Sequence, residues 1–596
     1  MTESEKNALQ AQIAALPKGN ITYKSISGKK YPYLQWTEDG RQHGRRIKES
    51  ELDTLAASIQ ERKRLEGLLK SASLQKKKQT PSRTNVLIRT GDALRSFVQS
   101  VRAFKKRECF SVLQDYLDDS MTDKVFILCG LRRTGKTTLI RQAIGDMTDD
   151  QFSKAAFIQA DPSCTLSQMN RTLQKLEADG YRYVFIDEVT LMEDFIEGAA
   201  LFSDIYAASG MKLVLSGKDS LGFIFSEDES LYDRCILLHT TLIPYREFHR
   251  VLGFHDIDDY IRYGGTMSIS GKRYHSASTF ASAQTAGEYV DSAIAHNIQH
   301  SLRNYQYGDH FRALRELYDS GELTNAIQRI VEDINHAFTL DVLTREFHSH
   351  DLRVSANNLR RDRSAPSDIL DQVNTEEITR KLRELLCILE KDESSVKLTE
   401  VHRAQIKEYL RLLDLVVDMP VVQIDNYNSK SERTIITQPG MRYAQTQELI
   451  GQLLADDAFR SYSLHERTAA AQRIMQEVMG RMMEDIVLLE TQTARPHAKV
   501  FPLQFAVGEF DMVVFEPEYQ FCEIYEIKHS TEIAPPQARH LRDEEKCKAT
   551  AFRFGEIRRK GVIYRGQAAT VDQIEYINVE EYLLSLEKQG QCAQLT

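Results

Sequence analysis

Gly130, Gly135, Lys136 and Thr137 stand in the spacing G-x-x-x-x-G-K-T, directly after the apolar run Val125–Cys129 and just before a helical pattern opened by Leu139 and Ile140. Glycines at those positions let successive backbone N–H groups curl round phosphate oxygens. The helix that follows turns the positive end of its dipole toward them. Lys136 is expected to reach the β- and γ-phosphates of ATP, and the Thr137 hydroxyl to hold Mg2+. Arg133, Thr134 and Thr138 complete the expected nucleotide-binding loop. Asp187 and Glu188 close the apolar stretch Tyr183–Ile186. An acid there suits the magnesium shell (Asp187), and its neighbour suits the polarising of a water for attack on the γ-phosphate (Glu188). Ser216, at the end of Lys212–Leu215, is expected to sense the γ-phosphate. Arg234 is the expected arginine finger, in cis or on a neighbouring subunit. Arg246 and Arg250 are rivals, and a surface ion-pair role stays open for all three.

A second set lies far downstream. Gly508-Glu-Phe-Asp511 leads into the apolar stretch Met512–Phe515, and Phe521–Lys528 alternates so that Glu526 and Lys528 share a face. Asp511 and Glu526 are expected to share a hard cation, Mg2+ or Mn2+, through carboxylate oxygens, with Glu484 completing the metal shell. Lys528 would position or deprotonate a water and steady a pentavalent phosphate. E-x-K is common in strands, so the reading needs all four residues together.

The elements that must position these groups follow from periodicity. Short apolar runs at Val125–Cys129, Ala155–Ala160, Tyr183–Ile186, Lys212–Leu215 and Cys235–Leu238 alternate with helical patterns. That alternation predicts a mostly parallel sheet with its ligand site at the strands' C-terminal ends. Upstream, Ile21–Ile26, Tyr31–Trp36 and Gly44–Ile47 predict an antiparallel meander in which Tyr23, Tyr31, Tyr33 and Trp36 interleave with Lys24, Lys29, Lys30, Arg41, Arg45 and Arg46. Such a sheet suits base stacking and phosphate contact, or else the aromatics form its own small core. A helix is expected from Ser50 to Leu69 and a linker at Lys76–Arg83. Arg102, Lys105, Lys106 and Arg107 are a phosphate contact or a solvated helix face. Residues 286–420 are helix-rich. Ala337–Phe347 and Val354–Arg361 form a candidate helix-turn-helix with Arg353, Arg360 and Arg361 toward a DNA backbone, or a structural helix pair. Arg363–Glu377 reads as an inserted loop. His402–Leu415 and Val421–Ile424 would close a winged-helix unit.

Whole-chain properties narrow the class. At 596 residues, with 42% hydrophobic and 27% charged residues, several globular domains are expected. No apolar run approaches the roughly 20 residues of a membrane span. No secretory signal is visible at the N-terminus, and the eight cysteines include no C-x-x-C pair. Together these point to reduced thiols in a cytoplasmic setting and away from structural zinc. Residues 1–110 hold 23 Lys and Arg against 11 Asp and Glu in a chain of net charge −9, so a basic front end precedes an acidic body. A polyanion partner or a solvated basic surface accounts for that equally well.

Gly-Leu-Arg-Arg-Thr-Gly-Lys-Thr-Thr at Gly130–Thr138, Phe-Ile-Asp-Glu-Val at 185–189, Leu-Ser-Gly-Lys-Asp-Ser from Leu215 and Pro244-Tyr-Arg-Glu-Phe248 resemble the archaeal and bacterial AAA-like, STAND-related ATPases of the G-x-R-R-x-G-K-T-T type. The resemblance runs over roughly 120–530 and implies a winged-helix segment and a C-terminal domain of restriction-endonuclease-like fold. The order Glu484, Asp511, Glu526-x-Lys528 matches the PD-(D/E)xK pattern it leads one to expect. The chain departs from the family at Gly264-Gly265-Thr266-Met267, where Gly-Gly-Phe-Pro is usual. The basic meander lies outside the shared part, and only loosely resembles arm-type DNA-binding domains of integrases.

The expected architecture is therefore multidomain α/β. It comprises a basic β-meander plus helix (1–80), an ASCE/AAA-like P-loop NTPase with a parallel sheet (85–252), a helical lid and winged-helix-like region (253–460) and a nuclease-like α/β domain (461–596). The expected function is an ATPase controlling a Mg2+-dependent nuclease-like domain acting on DNA, in a setting such as genome defence or mobile-element control, with self-association open. The alternatives are a non-cutting signalling or scaffold ATPase whose last domain binds nucleic acid or protein, and a ring-forming motor on nucleic acid.

Overall fold

The computed structural model describes residues 86–119, 123–192, 194–217, 233–267, 279–304, 311–348, 398–425 and 431–586, with three strands before residue 47 and residues 17, 51, 58, 378, 380–382 and 384–386. The chain divides into two compact units, Met1–Asn85 and Val86–Thr596. The expected helix 50–69, the linker 76–83, Val354–Arg361 with Arg353, and the loop 363–377 fall outside the described residues, apart from Glu51 and Ser58.

The first unit is the meander: β1 (Asn20–Ile26), β2 (Lys29–Glu38) and β3 (Arg41–Arg46), antiparallel in that order. Its register sets Lys24 opposite Tyr31 and Arg46 opposite Tyr33, while Tyr23 is opposite Pro32 and Trp36 opposite His43.

The second unit begins with a six-stranded sheet. Its strands are β4 (Leu87–Arg89), β5 (Val125–Cys129), β6 (Ala155–Gln159), β7 (Tyr183–Asp187), β8 (Lys212–Ser216) and β9 (Cys235–His239), in the spatial order β4-β6-β7-β8-β5-β9. β4 pairs antiparallel with β6 and every other pairing is parallel. β5 and β8 are buried at every position, as helices on both faces require. On one face Phe126, Phe157, Phe185 and Val214 pack against the helices Gly91–Gln99, Phe110–Asp118 and Lys136–Asp146. On the other, Ile127, Ile158, Ile186 and Leu213 meet Leu173 and Leu176 of the helix Leu166–Ala178, whose first turn is closed by a Thr165–Gln168 capping box.

A helical region follows, dominated by Leu323–His348, Glu400–Leu412 and Pro439–Ala455. Leu323–His348 absorbs the expected first helix of the helix-turn-helix in one run. The hairpin β10 (Val416–Gln423) and β11 (Ser431–Ile436) follows the helix Glu400–Leu412 and starts five residues before the expected strand. It closes no small unit of its own. Val422 and Gln423 pair in parallel with Leu503 and Gln504 of β12 (Lys499–Gln504), so the hairpin becomes the edge of the C-terminal sheet. The remaining strands are β13 (Glu509–Glu516), β14 (Phe521–Lys528), β15 (Glu556–Tyr564), β16 (Ala569–Val571) and β17 (Ile574–Asn578). Their order is β11-β10-β12-β13-β14-β15-β17-β16, which crosses the expected 460/461 boundary. Against this sheet lies the 31-residue helix Leu464–Ala494, opened by a Ser463–Glu466 capping box and buried almost all round from Val478 to Leu489.

Candidate functional site

The loop after β5 bends through backbone angles that L-residues resist: Gly130 at φ 134°, Arg133 at 65° and Gly135 at 95°. A Cβ on Gly130 would stand 2.5 Å from Thr240 Oγ1 and 3.0 Å from Thr241 N, so only glycine lets the loop sit against the segment after β9. Thr134 is fully buried; its hydroxyl donates to Leu131 O (2.9 Å) and lies 2.9 Å from Thr240 Oγ1. Its expected role toward the nucleotide is thus left to its backbone. Arg133 donates to Thr279 Oγ1 at 3.0 Å, and its carbonyl accepts from Met267 N–H at 2.7 Å. The departing turn Gly264–Met267 therefore rests on the loop itself.

Lys136 opens the helix and curls beneath the loop, donating to Gly130 O (2.7 Å) and Leu131 O (2.8 Å). Burial pulls its ammonium down to about 8, against the attraction of Glu188 and Asp187. Thr137 and the half-buried Thr138 follow in the first helical turn, and the Thr137 hydroxyl donates to Asp187 Oδ2 at 2.8 Å. β8 lies between β5 and β7, so this contact spans about two strand spacings, or 10 Å, at the sheet's C-terminal end. Ser216 on that intervening strand donates to Asp187 Oδ1, as does Glu188 N at 3.0 Å. Glu188 itself stands at φ 56°, a conformation a non-glycine residue holds at a cost of order 1–3 kcal/mol and typically at functional sites. A hydroxyl and a carboxylate oxygen side by side are the donor chemistry a hard cation takes, so Thr137 and Asp187 fit Mg2+.

The expected finger needs correction. Arg234 precedes β9, which runs parallel to β5 with Cys235 opposite Val125. It therefore lies at the N-terminal end of the sheet, about 16 Å of strand from the loop, and pairs with Asp204 at 3.0 Å. It cannot serve in cis. Of its rivals, Arg250 donates to Lys106 O at 3.3 Å, and Arg246 is buried in an ion pair with Glu108 at 2.9 Å.

Arg107 is the residue that sequence reasoning misread. It is neither a phosphate contact nor solvated: it is 7% exposed, and its guanidinium donates to Glu247 Oε2 (2.7 Å), Thr134 O (2.8 Å), Thr240 O (2.9 Å) and Leu242 O (2.9 Å). The dipeptide Arg-Glu occurs five times in the chain, and nothing in the sequence singles out the two copies that meet. Arg107–Glu108 and Arg246–Glu247 pair crosswise, Arg107 with Glu247 and Arg246 with Glu108. The network extends to Glu490 on the long C-terminal helix, which accepts from Tyr245 N–H at 2.7 Å and lies 3.7 Å from Arg246. Burial raises the Glu490 carboxyl to about 7.

The distal residues converge. Lys528 Nζ lies 2.8 Å from Asp511 Oδ2 and 2.8 Å from Glu526 Oε2, and Ile527 N–H donates to Asp511 Oδ2 at 2.7 Å. Although burial opposes it, the Lys528 charge and the Ile527 N–H hold Asp511 below the usual carboxylate range; burial pushes Glu526 well above it. Glu484 faces the same cluster electrostatically but is held by Arg481 at 2.5 Å and Arg433 at 3.2 Å. The three acids expected to share a cation are thus partnered by basic side chains. Among the described residues no group of three or more His, Cys, Asp or Glu is arranged to hold a metal ion. The Lys528 ammonium bridges Asp511 and Glu526 instead. One buried oxygen, Glu526 Oε1, has no hydrogen-bond partner, which is where a cation or a proton would be satisfied.

Strand order, glycine loop and the Thr137–Asp187 pair define a P-loop ATPase domain of the AAA type. Residues 122–249 match the family model of the AAA domain, which implies a nucleotide and usually Mg2+. Residues 2–57, which include the meander, match a domain of unknown function, DUF6788. No curated protein sequence matches the chain. Among solved structures, the Aeropyrum pernix Orc1 protein in complex with DNA aligns over 64% of this chain and 96% of its own length, at 13% identity and a TM-score of 0.20. At that score the two chains do not superpose as wholes.

Proposed function

We propose that this chain hydrolyses ATP at the loop 130–138 and uses the cycle to control a C-terminal centre that acts on the phosphodiester backbone of DNA. In the hydrolytic step Lys136 leaves the Gly130 and Leu131 carbonyls for the β- and γ-phosphate oxygens. Asp187 keeps Thr137 oriented, and Glu188 polarises the attacking water. Thr137 and Asp187 would hold Mg2+, which would supply neutralisation of phosphate charge. At the C-terminal centre Lys528 steadies a developing phosphorane charge and Asp511 orients the water, with Glu526 as the proton-bearing acid.

The observation that carries the reading is the buried ion network. The carbonyl of Thr134 in the phosphate loop holds Arg107, Arg107 holds Glu247, and the neighbouring Arg246 meets Glu490 on the helix that also bears Glu484. A loop rearranged by the γ-phosphate thus has a buried polar connection as far as Glu490, from which the helix Leu464–Ala494 leads back to Glu484.

Incubating the purified protein with plasmid and single-stranded DNA, with Mg2+ or Mn2+ and with or without ATP, tests this. Cutting that is lost in Asp511→Ala and loses its ATP response in Lys136→Ala is expected. Unchanged cutting and ATP response in Lys136→Ala would sink the control scheme. The second reading, a non-cutting signalling or scaffold ATPase, is favoured by the Lys528 bridge, which already engages one oxygen of each acid. ATPase activity without cutting under either metal would establish it.

A further inference from the structure

Arg539, His540 and Lys546 meet beside the turn that leads into β13. Lys546 Nζ lies 2.5 Å from His540 Nδ1, and Arg539 Nη2 lies 3.2 Å from His540 Nε2. A neutral imidazole has one N–H and one bare nitrogen. With both ring nitrogens facing cationic donors, one contact is donor against donor whichever tautomer is present. If Lys546 donates to Nδ1, then His540 Nε2–H and the Arg539 guanidinium both present N–H groups to the same spot. An anionic oxygen there would accept from both. The ring is neutral because burial first, then Lys546, Arg539 and Lys528, hold it down to about 4. The cluster closes on bare backbone: a Cβ on Gly508 (φ +82°) would stand 2.4 Å from His540 Cε1 and 3.0 Å from Lys546 Nζ. Gly508 is three residues from Asp511, and both Asp511 and Lys528 act electrostatically on His540.

We propose that Arg539, His540 and Lys546 form a phosphate-binding site that grips a backbone phosphate of a polynucleotide strand next to the Asp511–Glu526–Lys528 centre. The assignment rests on the reading of that centre as one acting on nucleic acid. The site positions a strand by its backbone and carries no sequence preference of its own. His540 serves as a neutral donor held in one tautomer by Lys546.

The test is binding of a fluorescein-labelled oligonucleotide to the full chain, by anisotropy over a range of salt. Arg539→Gln, at an exposed position that leaves the fold intact, and Lys546→Ala are each expected to weaken binding alike for unrelated sequences. Each should reduce the slope of log Kobs against log salt by about one, with ATP hydrolysis unchanged. Equal affinity and equal slope in both variants would overturn the proposal. So would loss of inorganic phosphate or mononucleotide binding, by calorimetry, with oligonucleotide binding intact, since the site would then serve a free phosphate. Asp511→Ala is run alongside to separate the two readings. If the parent never cuts but Lys546→Ala loses strand affinity, the cutting reading falls and the phosphate site stands.

Discussion

Lys136 carries a charge that its surroundings only partly support. Its ordinary value near 10.5 is drawn down to about 8 chiefly by burial, so above that pH the folded protein holds a largely neutral amine. Phosphate oxygens would restore the ammonium. ATP binding at pH 8.5 should therefore take up protons, whereas binding at pH 6.5 should not. Titration calorimetry in two buffers of different ionisation enthalpy measures the difference directly. Removing the amine in Lys136→Ala should weaken ATP binding about 10–100-fold, the equivalent of one charged hydrogen bond of about 1.5–3 kcal/mol. Glu188→Gln should keep binding, because the backbone of Glu188 rather than its carboxylate caps Asp187, and should slow hydrolysis at least about 100-fold in a phosphate-release assay. Order and spacing, with the family resemblance, singled out residues that the structure brings together at both centres. Their partners were not readable that way. That Lys528 would bridge two acids, or that Arg481 and Arg433 would claim Glu484, depends on which rotamers fill a shared space. Spacing along the chain carries no such information.

Among the elements, β5 to β9 were legible because each is a short apolar run on a doubly covered sheet, where no alternation dilutes the signal. β4 was not: three residues, largely exposed, are too few for any period to register. As a finger in cis, Arg234 is excluded by direction rather than pattern. A residue that precedes a parallel strand belongs to the end opposite the ligand site, and that much was available before any coordinates. Arg107 illustrates the opposite case. Its surroundings join the segment before the helix Phe110–Asp118, the phosphate loop and the stretch after β9, and only the folded arrangement brings these together. Breaking this pair should be costly. Arg107→Met leaves the buried Glu247 carboxylate unpaired, and a loss of about 3–5 kcal/mol is expected. Arg107→Met combined with Glu247→Gln should recover most of it. Urea unfolding of the single and double variants checks both.

Across the whole second unit, Glu490 is the point where the long C-terminal helix meets the buried Arg246–Glu108 pair. Its folded value, raised by burial to about 7 from 4.5, means that the native state binds the extra proton between those limits. Stability from this group is thus greatest at low pH and falls as pH rises through 4.5 to about 7, by up to about 3 kcal/mol. Glu490→Gln removes that slope while its amide oxygen still accepts from Tyr245 N–H. The parent should therefore lose ground to the variant between pH 5.5 and pH 8, read as the difference in melting temperature at the two values. A variant that tracks the parent across this range would show the charge to be better solvated than its burial indicates.

The membership of β10 and β11 in the C-terminal sheet carries one more implication. Chain order and sheet order disagree there, since two helices intervene between the hairpin and the strand it joins. No single cut in the polypeptide can therefore detach the C-terminal sheet as an intact body. Severing before the long helix strips away the outer ribbon and leaves the flank of β12 as raw, adhesive backbone. Severing earlier drags along the helices that the ATPase leans on. The ATPase domain and the C-terminal sheet are stitched together by topology as well as by charge, and any effort to study one alone must carry part of the other with it.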